Sequence, residues 1–216
     1  MTNSNLITNL QNKVPGNYLR LPHSEQGQRI GLFGGSFNPP HEGHLLVSEI
    51  TLKRLQLDQI WWIVTPGNPL KDVNQLAPLS KRIKWCEDIA NHPSIKITAF
   101  ELVHPTRFTA DTLEFVKTRR PDTNFVWIMG ADNLAGFHKW QRWRDIADMM
   151  PLAVIDRPGS TLSSRSSMAA LALSRFRLDE SDAALLPTMP APTWTFIHGP
   201  RSSLSSTKIR DSTNAI

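Results

Sequence analysis

Residues 29–46 read RIGLFGGSFNPPHEGHLL, and this stretch decides the fold. A short apolar run at 30–33 ends in two glycines and a proline-stiffened turn. From Gly43 the pattern changes: Leu45, Leu46, Ile50 and Leu52 recur at helical spacing, with Leu55 continuing the set. The stretch therefore predicts a buried strand, a tight turn and a helix, the opening unit of an α/β sheet. A helix start carries N–H groups with no intrahelical partner and the positive end of the helix dipole, so it is a ready seat for an anion. Gly34 and Gly35 let the backbone approach a bulky phosphate. His41 and His44, three residues apart, share one face of the first turn. Gly43 keeps the space between them open.

Outward from this unit the alternation repeats. Asp58 introduces QIWWIVTP, a second strand closed by the turn signal Pro66-Gly67-Asn68-Pro69. Ser80 is placed to cap a helix running through Ile89, and KITAF at 96–100 reads as a strand. A helix is expected over 109–120, stopped by Pro121, then a strand over 124–129 ending at Gly130. Residues 141–149 read as a helix, 152–155 as a strand, 163–176 as a helix, and 193–198 as a last strand after the prolines at 187, 190 and 192. Strands alternating with helices predict a Rossmann-like, doubly wound α/β fold, its mainly parallel sheet covered by helices on both faces. Ligands of such sheets bind at the carboxyl ends of the strands, near a topological switch point. Residues 1–28 are polar, without sustained period, and read as a flexible N-terminal extension; 29–216 form a single domain.

Composition narrows the classes. The chain has 216 residues, 40% of them hydrophobic, which supports a real core. Its purely apolar runs, such as 60–64 and 168–173, are no longer than six residues, far short of the ~18–20 needed to span a membrane. The first residues, MTNSNLITNLQNKV, have neither a basic region nor an apolar stretch of signal-peptide type. One cysteine excludes a disulfide framework and a Cys-cluster zinc site; Cys86 falls on a helical apolar pattern and reads as a buried thiol in a cytoplasmic protein. The net charge of +5 has two readings, attraction of nucleic acid or concentration of a polyphosphate substrate. Basic residues come only in short clusters such as Lys81-Arg82-Lys84, which leans against a nucleic-acid arm.

A His-x-x-His pair alone also suits surface or capping histidines. Zinc would need a third ligand at local spacing, and none follows. Glu42-Gly43-His44 does not fit HExxH, the glycines do not complete G-x-G-x-x-G, and no Gly-Lys-Ser/Thr forms a Walker A loop. Near the other end, Ser205-Ser206-Thr207-Lys208-Ile209-Arg210 sets three hydroxyls before a basic pair. That pattern reads as a helix cap and phosphate grip, or as an ordinary capped helix.

Together, GGSFNPPHEGH and SSTKIR resemble the nucleotidylyltransferase superfamily, whose G-x-F-x-P-x-H-x-G-H loop is Gly35, Phe37, Pro39, His41, Gly43 and His44 here. Further segments in order are similar to bacterial nicotinate-nucleotide adenylyltransferases: TPGNPLKD at 65–72, FTADTL at 108–113, and Gly130-Ala131-Asp132-Asn133 followed by Phe137 and Trp140. The resemblance implies transfer of AMP from ATP to nicotinate mononucleotide, giving deamido-NAD and pyrophosphate in NAD biosynthesis. It implies His41 and His44 at the triphosphate as the catalytic pair. Gly34, Gly35, Ser36, Phe37, Asp132, Ser206, Thr207 and Arg210 would bind ATP, and Lys71, Thr109 and Trp140 the mononucleotide. No protein metal site is expected; Mg²⁺ would travel with ATP. The implied partners are these small molecules, not nucleic acid or membrane, with a homo-oligomer left open. Two other readings stand beside it: another acceptor (nicotinamide mononucleotide or phosphopantetheine), and an RNA-binding module akin to class I synthetases through His41-Glu42-Gly43-His44.

Overall fold

The computed structural model describes residues 14–67, 76–104, 106, 108–156, 164–199 and 206. Among them, seven strands form one sheet: β1 (Arg29–Gly35), β2 (Gln59–Val64), β3 (Ile95–Thr98), β4 (Asn124–Gly130), β5 (Leu152–Ile155), β6 (Arg177–Leu178) and β7 (Trp194–Ile197). Their order is β3-β2-β1-β4-β5-β7-β6, and every pairing is parallel. The chain winds from β1 outward to β3, then returns to β4 on the other side of β1. The switch point therefore lies between the carboxyl ends of β1 and β4.

Helices lying wholly among the described residues are α1 (Glu42–Arg54), α2 (Leu79–Ile89), α3 (Thr109–Arg119), α4 (Ala131–Gly136), α5 (Trp143–Met149) and α6 (Met168–Ala172). They cover both faces, as the sequence predicts. Strand residues alternate between two cores. Ile30, Leu32, Trp61, Trp127, Val154 and Phe196 pack with Leu113 and Val116 of α3 and Ile146 of α5. Phe33, Trp62, Val126 and Ile155 pack with Val47 of α1 and with Leu79, Ile83 and Cys86 of α2. Both faces are dry, so the strands read as continuous apolar runs rather than alternating ones. The dipeptide Trp61-Trp62 supplies one fully buried indole to each core. By area each contributes about 4–6 kcal/mol, an upper bound set against the entropy of ordering.

Several boundaries differ from expectation. Helix α2 begins at Leu79 with Pro78 as its cap residue, so Ser80 lies inside it and caps nothing. The helix expected over 163–176 is broken among the described residues: 164–165 are helical, α6 restarts after Ser167, whose hydroxyl caps it, and a 3₁₀ turn follows at Ser174–Phe176. Residues 180–188 form a 3₁₀ segment containing Pro187, which no helical period in the sequence signals. Residues 14–28 are not the flexible extension expected. Val14 is buried against the α2-side core. The Ala99 N–H donates to the Tyr18 carbonyl (2.7 Å), and the Asn124 N–H to that of Gln28 (2.8 Å). The Tyr18 hydroxyl donates to Glu87 on α2. The segment packs without regular secondary structure, so its apolar residues carry no period. Residues 1–13 lie outside the described residues.

Candidate active site

The loop leaving β1 is held from below. A Cβ on Gly34 would lie 2.6 Å from Cη2 of Trp127, so only glycine lets the β4 indole pack beneath this position. Phe37 is fully buried and sits at φ 45°, a left-handed conformation costing a non-glycine residue roughly 1–2 kcal/mol. Packing holds it there: its ring stacks on Trp62 at 4.9 Å and 13°, and meets Phe33 edge-on at 5.9 Å. The Asn38–Pro39 peptide is cis, and the buried Asn38 Oδ1 accepts the Ala77 N–H at 3.0 Å.

His41 and His44 begin α1 as its N-cap and third residue. The His41 Nδ1 accepts the Gly43 N–H at 3.1 Å, and the His44 Nδ1 accepts the His41 N–H at 3.2 Å. This is a capping box built from two imidazoles in place of the usual hydroxyl and carboxylate. It has a chemical consequence. With Nδ1 accepting on both rings, the ring proton of each resides on Nε2, and the donor each offers is Nε2–H. The rings lie 4.0 Å apart. Below them the Ser48 hydroxyl donates to the His44 carbonyl (3.0 Å) and accepts from the Trp62 indole (2.8 Å), which anchors α1 to β2. The capping and functional readings of the pair thus describe one arrangement: capping is what aims the donors.

The C-terminal motif comes to the same loop. The Ser206 hydroxyl donates to the Pro39 carbonyl at 2.8 Å. Thr207 and Arg210 lie outside the described residues, as does Lys71. Gly35 and Ser36 lie half-buried at the carboxyl end of β1. Asp132 is exposed in the first turn of α4, just beyond the end of β4 and across the switch point; Gly130, not Asp132, is the cap residue. Thr109 opens α3 after Phe108, whose carbonyl accepts from the N–H groups of Asp111 (3.0 Å) and Thr112 (3.1 Å). Trp140 is half-buried and edge-on to Phe137 at 5.4 Å, while Trp143 is buried in the core. The sequence-predicted residues on described segments therefore lie at the carboxyl ends of the strands or on the helices that follow them.

Two buried groups here escape sequence reading. Arg82 of α2, only 1% exposed, directs its guanidinium at four backbone carbonyls: Ala77 (2.9 Å), Ser36 (2.7 Å), Thr65 (2.8 Å) and Pro66 (3.2 Å). Burial lowers its pKa to about 10. Glu101, after β3, accepts the Thr112 hydroxyl at 2.5 Å, and burial raises its carboxyl above the usual range. A charged residue at the apolar phase of α2, one position before Ile83 and four before Cys86, was the one available signal for Arg82.

The chain is similar to proteins of known family and to solved structures. The sequence profile of the cytidylyltransferase-like family matches residues 32–212. A probable nicotinate-nucleotide adenylyltransferase of Mesorhizobium japonicum is 63% identical over 190 residues, covering 88% of this chain and 97% of the relative. One from Brucella abortus is 61% identical over 181 residues, covering 84% and 93%. Among solved structures, Plasmodium falciparum nicotinic acid mononucleotide adenylyltransferase complexed with APC aligns with a TM-score of 0.63 at 20% identity, over 85% of this chain and 83% of that one. The same enzyme complexed with NaAD gives 0.61. At that identity the likeness concerns the fold alone, whereas the sequence matches extend to the family. The chain belongs to the cytidylyltransferase-like superfamily and, within it, to the nicotinate-nucleotide adenylyltransferases.

Proposed function

We propose that the protein joins ATP and nicotinate mononucleotide to give deamido-NAD and pyrophosphate. A phosphate oxygen of the mononucleotide attacks the α-phosphorus of ATP in line. The new P–O bond forms as the bond to the bridging α,β-oxygen breaks, and pyrophosphate leaves with that oxygen. No protein nucleophile takes part. The chain contributes position and stabilisation of the charge spreading over the phosphoryl oxygens.

The observation that carries this reading is the reciprocal imidazole cap. It presents two Nε2–H donors at a helix N-terminus beside the β1–β4 switch point, where polyphosphate is expected. His44 takes the α-phosphate and His41 the neighbouring oxygens, with Gly34, Gly35, Ser36 and Phe37 forming the floor. Ser206, with Thr207 and Arg210 beyond it, holds the β- and γ-phosphates. Asp132 serves the adenosine ribose. On the acceptor side the first turn of α3 at Thr109 takes the nicotinate carboxylate, Trp140 stacks on the pyridine ring, and Lys71 contributes to mononucleotide binding.

The donor set at the loop consists of N–H and O–H groups, which suit phosphate oxygens. Among the described residues no three His, Cys, Asp or Glu side chains gather as a metal cage. Mg²⁺ carried by the nucleotide fits such a site and would neutralise phosphate charge. No helix among the described residues is long and apolar enough to cross a membrane. A lone buried thiol agrees with a cytoplasmic setting.

Pyrophosphate release from Mg-ATP, measured with nicotinate mononucleotide, nicotinamide mononucleotide and phosphopantetheine in turn, tests the reading. Nicotinate mononucleotide should exceed the amide by at least about tenfold in kcat/KM, because a site built for an anion leaves its donors unpaired against the carboxamide. Equal turnover of acid and amide would overturn the acceptor assignment. No release with any of them would overturn adenylyl transfer itself.

A further inference from the structure

We propose that Arg82 is a positioning residue that locks the ATP-side and acceptor-side loops together and lends its charge to the phosphate site. This rests on the adenylyl-transfer reading for what the two loops bind.

The guanidinium lies under both loops. One of its nitrogens donates to the Ser36 carbonyl at 2.7 Å and to the Thr65 carbonyl at 2.8 Å; a second reaches Pro66 at 3.2 Å, and Nε reaches Ala77 at 2.9 Å. Ser36 belongs to the loop after β1. Thr65 and Pro66 begin the loop after β2. A single rigid fork therefore sets the spacing between two loops that, among the described residues, share one backbone hydrogen bond beyond their strands, Thr65 N–H to Gly35 carbonyl at 3.0 Å. In a trans peptide the C=O and the following N–H point in opposite directions. Holding the Ser36 and Pro66 carbonyls inward thus aims the N–H groups of Phe37 and Gly67 away from Arg82. Only arginine has the planar, multi-donor head to satisfy carbonyls on several sides at once; a lysine ammonium supplies a point charge without the fork.

The charge carries the second half. Among the described residues no carboxylate lies within ion-pair distance of Arg82, although the side chain is fully buried. A buried charge without an opposite partner is costly, and backbone dipoles relieve that only in part. Its carbonyl partner Ser36 is adjacent to the glycines proposed for the triphosphate, so a bound polyanion supplies the missing opposite charge. Within the loop after β2 the Thr65 hydroxyl donates to the Gly67 carbonyl at 3.2 Å, so the carbonyls that Arg82 holds there belong to one folded turn.

The test compares Arg82→Lys, Arg82→Met and Arg82→Ala with wild type. Thermal melts and circular dichroism establish the folded fraction at assay temperature. In folded protein, Arg82→Lys should lower kcat by about 10²-fold, the scale of a small misplacement of reacting groups. It should also raise KM for both substrates. Arg82→Met, without charge, should in addition weaken ATP binding by calorimetry below that of Arg82→Lys. Millimolar guanidinium, but not methylammonium, should restore activity to Arg82→Ala, a response that mere loss of packing does not give. Should Arg82→Ala fail to fold, the Lys and Met variants decide. Wild-type kcat and both wild-type KM values in Arg82→Lys would overturn the proposal, as would a loss of activity that only tracks the folded fraction. If wild type releases no pyrophosphate with any acceptor, the adenylyl-transfer reading fails; ATP affinity of the three variants then tests Arg82 on its own, and unchanged affinity overturns it.

Discussion

Ser206 and Pro39 are 167 residues apart in sequence, yet the serine hydroxyl donates to the proline carbonyl at 2.8 Å. The bond joins the segment after the last strand to the loop after the first, closing the site across the sheet. Its removal in Ser206→Ala should raise the dissociation constant for ATP about fivefold, as expected from losing about 1 kcal/mol of hydrogen bonding. Arg210→Lys should weaken ATP further, because the charge survives but the two-pronged contact with phosphate does not. Calorimetric titration of ATP decides both; affinities equal to wild type would remove this segment from the phosphate site.

His44 has two jobs that different measurements separate. As the third residue of α1 it accepts the His41 N–H, and losing a cap costs roughly 0.5–2 kcal/mol of stability. As a donor to the α-phosphate it acts in the transition state, where loss of one donor lowers kcat by ~10²–10³. His44→Ala should show both the lower urea midpoint and the kinetic loss, with little change in KM for ATP. A variant that is destabilised yet turns over at nearly the wild-type rate would leave His44 as a cap only.

Trp140 stands edge-on to Phe137 and half out of the core, so it has one face to give to a ligand. Trp140→Ala should raise KM for the mononucleotide several-fold, consistent with the ~1–3 kcal/mol typical of base–aromatic stacking, while sparing KM for ATP. An equal rise for both substrates would assign the indole to packing.

The buried carboxyl of Glu101 gives a pH signature. Burial raises its pKa in the folded protein above the unfolded value. The folded state therefore holds the proton more tightly, and this group's contribution is fully present below the ordinary carboxylate pKa and is lost as pH rises through the raised one. Glu101→Gln lacks that titration and keeps an acceptor for the Thr112 hydroxyl. The stability difference between variant and wild type, from urea unfolding across pH, should shift in the variant's favour as pH increases. A difference that shifts the other way would mean that the ionised form is the one the fold prefers.

The fold was legible where physics is local. Strands β1, β2, β4, β5 and β7 announce themselves as apolar runs because both sheet faces are covered. The loop from Gly34 to His44 is legible because its glycines, prolines and histidines each constrain the backbone or the ligand chemistry. What the sequence hid depends on distant partners. Ser80 resembles a cap, but Pro78 enters the helix first. Helix α5 starts at Trp143 rather than at residue 141 because Arg142 turns left-handed at φ 57°. Arg82 reads as one member of a basic surface cluster; Lys81 and Lys84 are exposed as that implies, and Arg82 points the other way. Nothing within a few residues of position 82 indicates that two loops will bring their carbonyls to it.

The order of the strands also governs how molecules meet at high concentration. Among the described residues the sheet ends in short members, four residues of β3 on one side and two of β6 on the other. On β3 Lys96 is exposed. Long apolar strands with unpaired N–H and C=O groups invite edge-to-edge association and fibrils; here those strands are all interior. The protein can therefore carry a strongly apolar, all-parallel sheet without presenting a template on which other chains could grow.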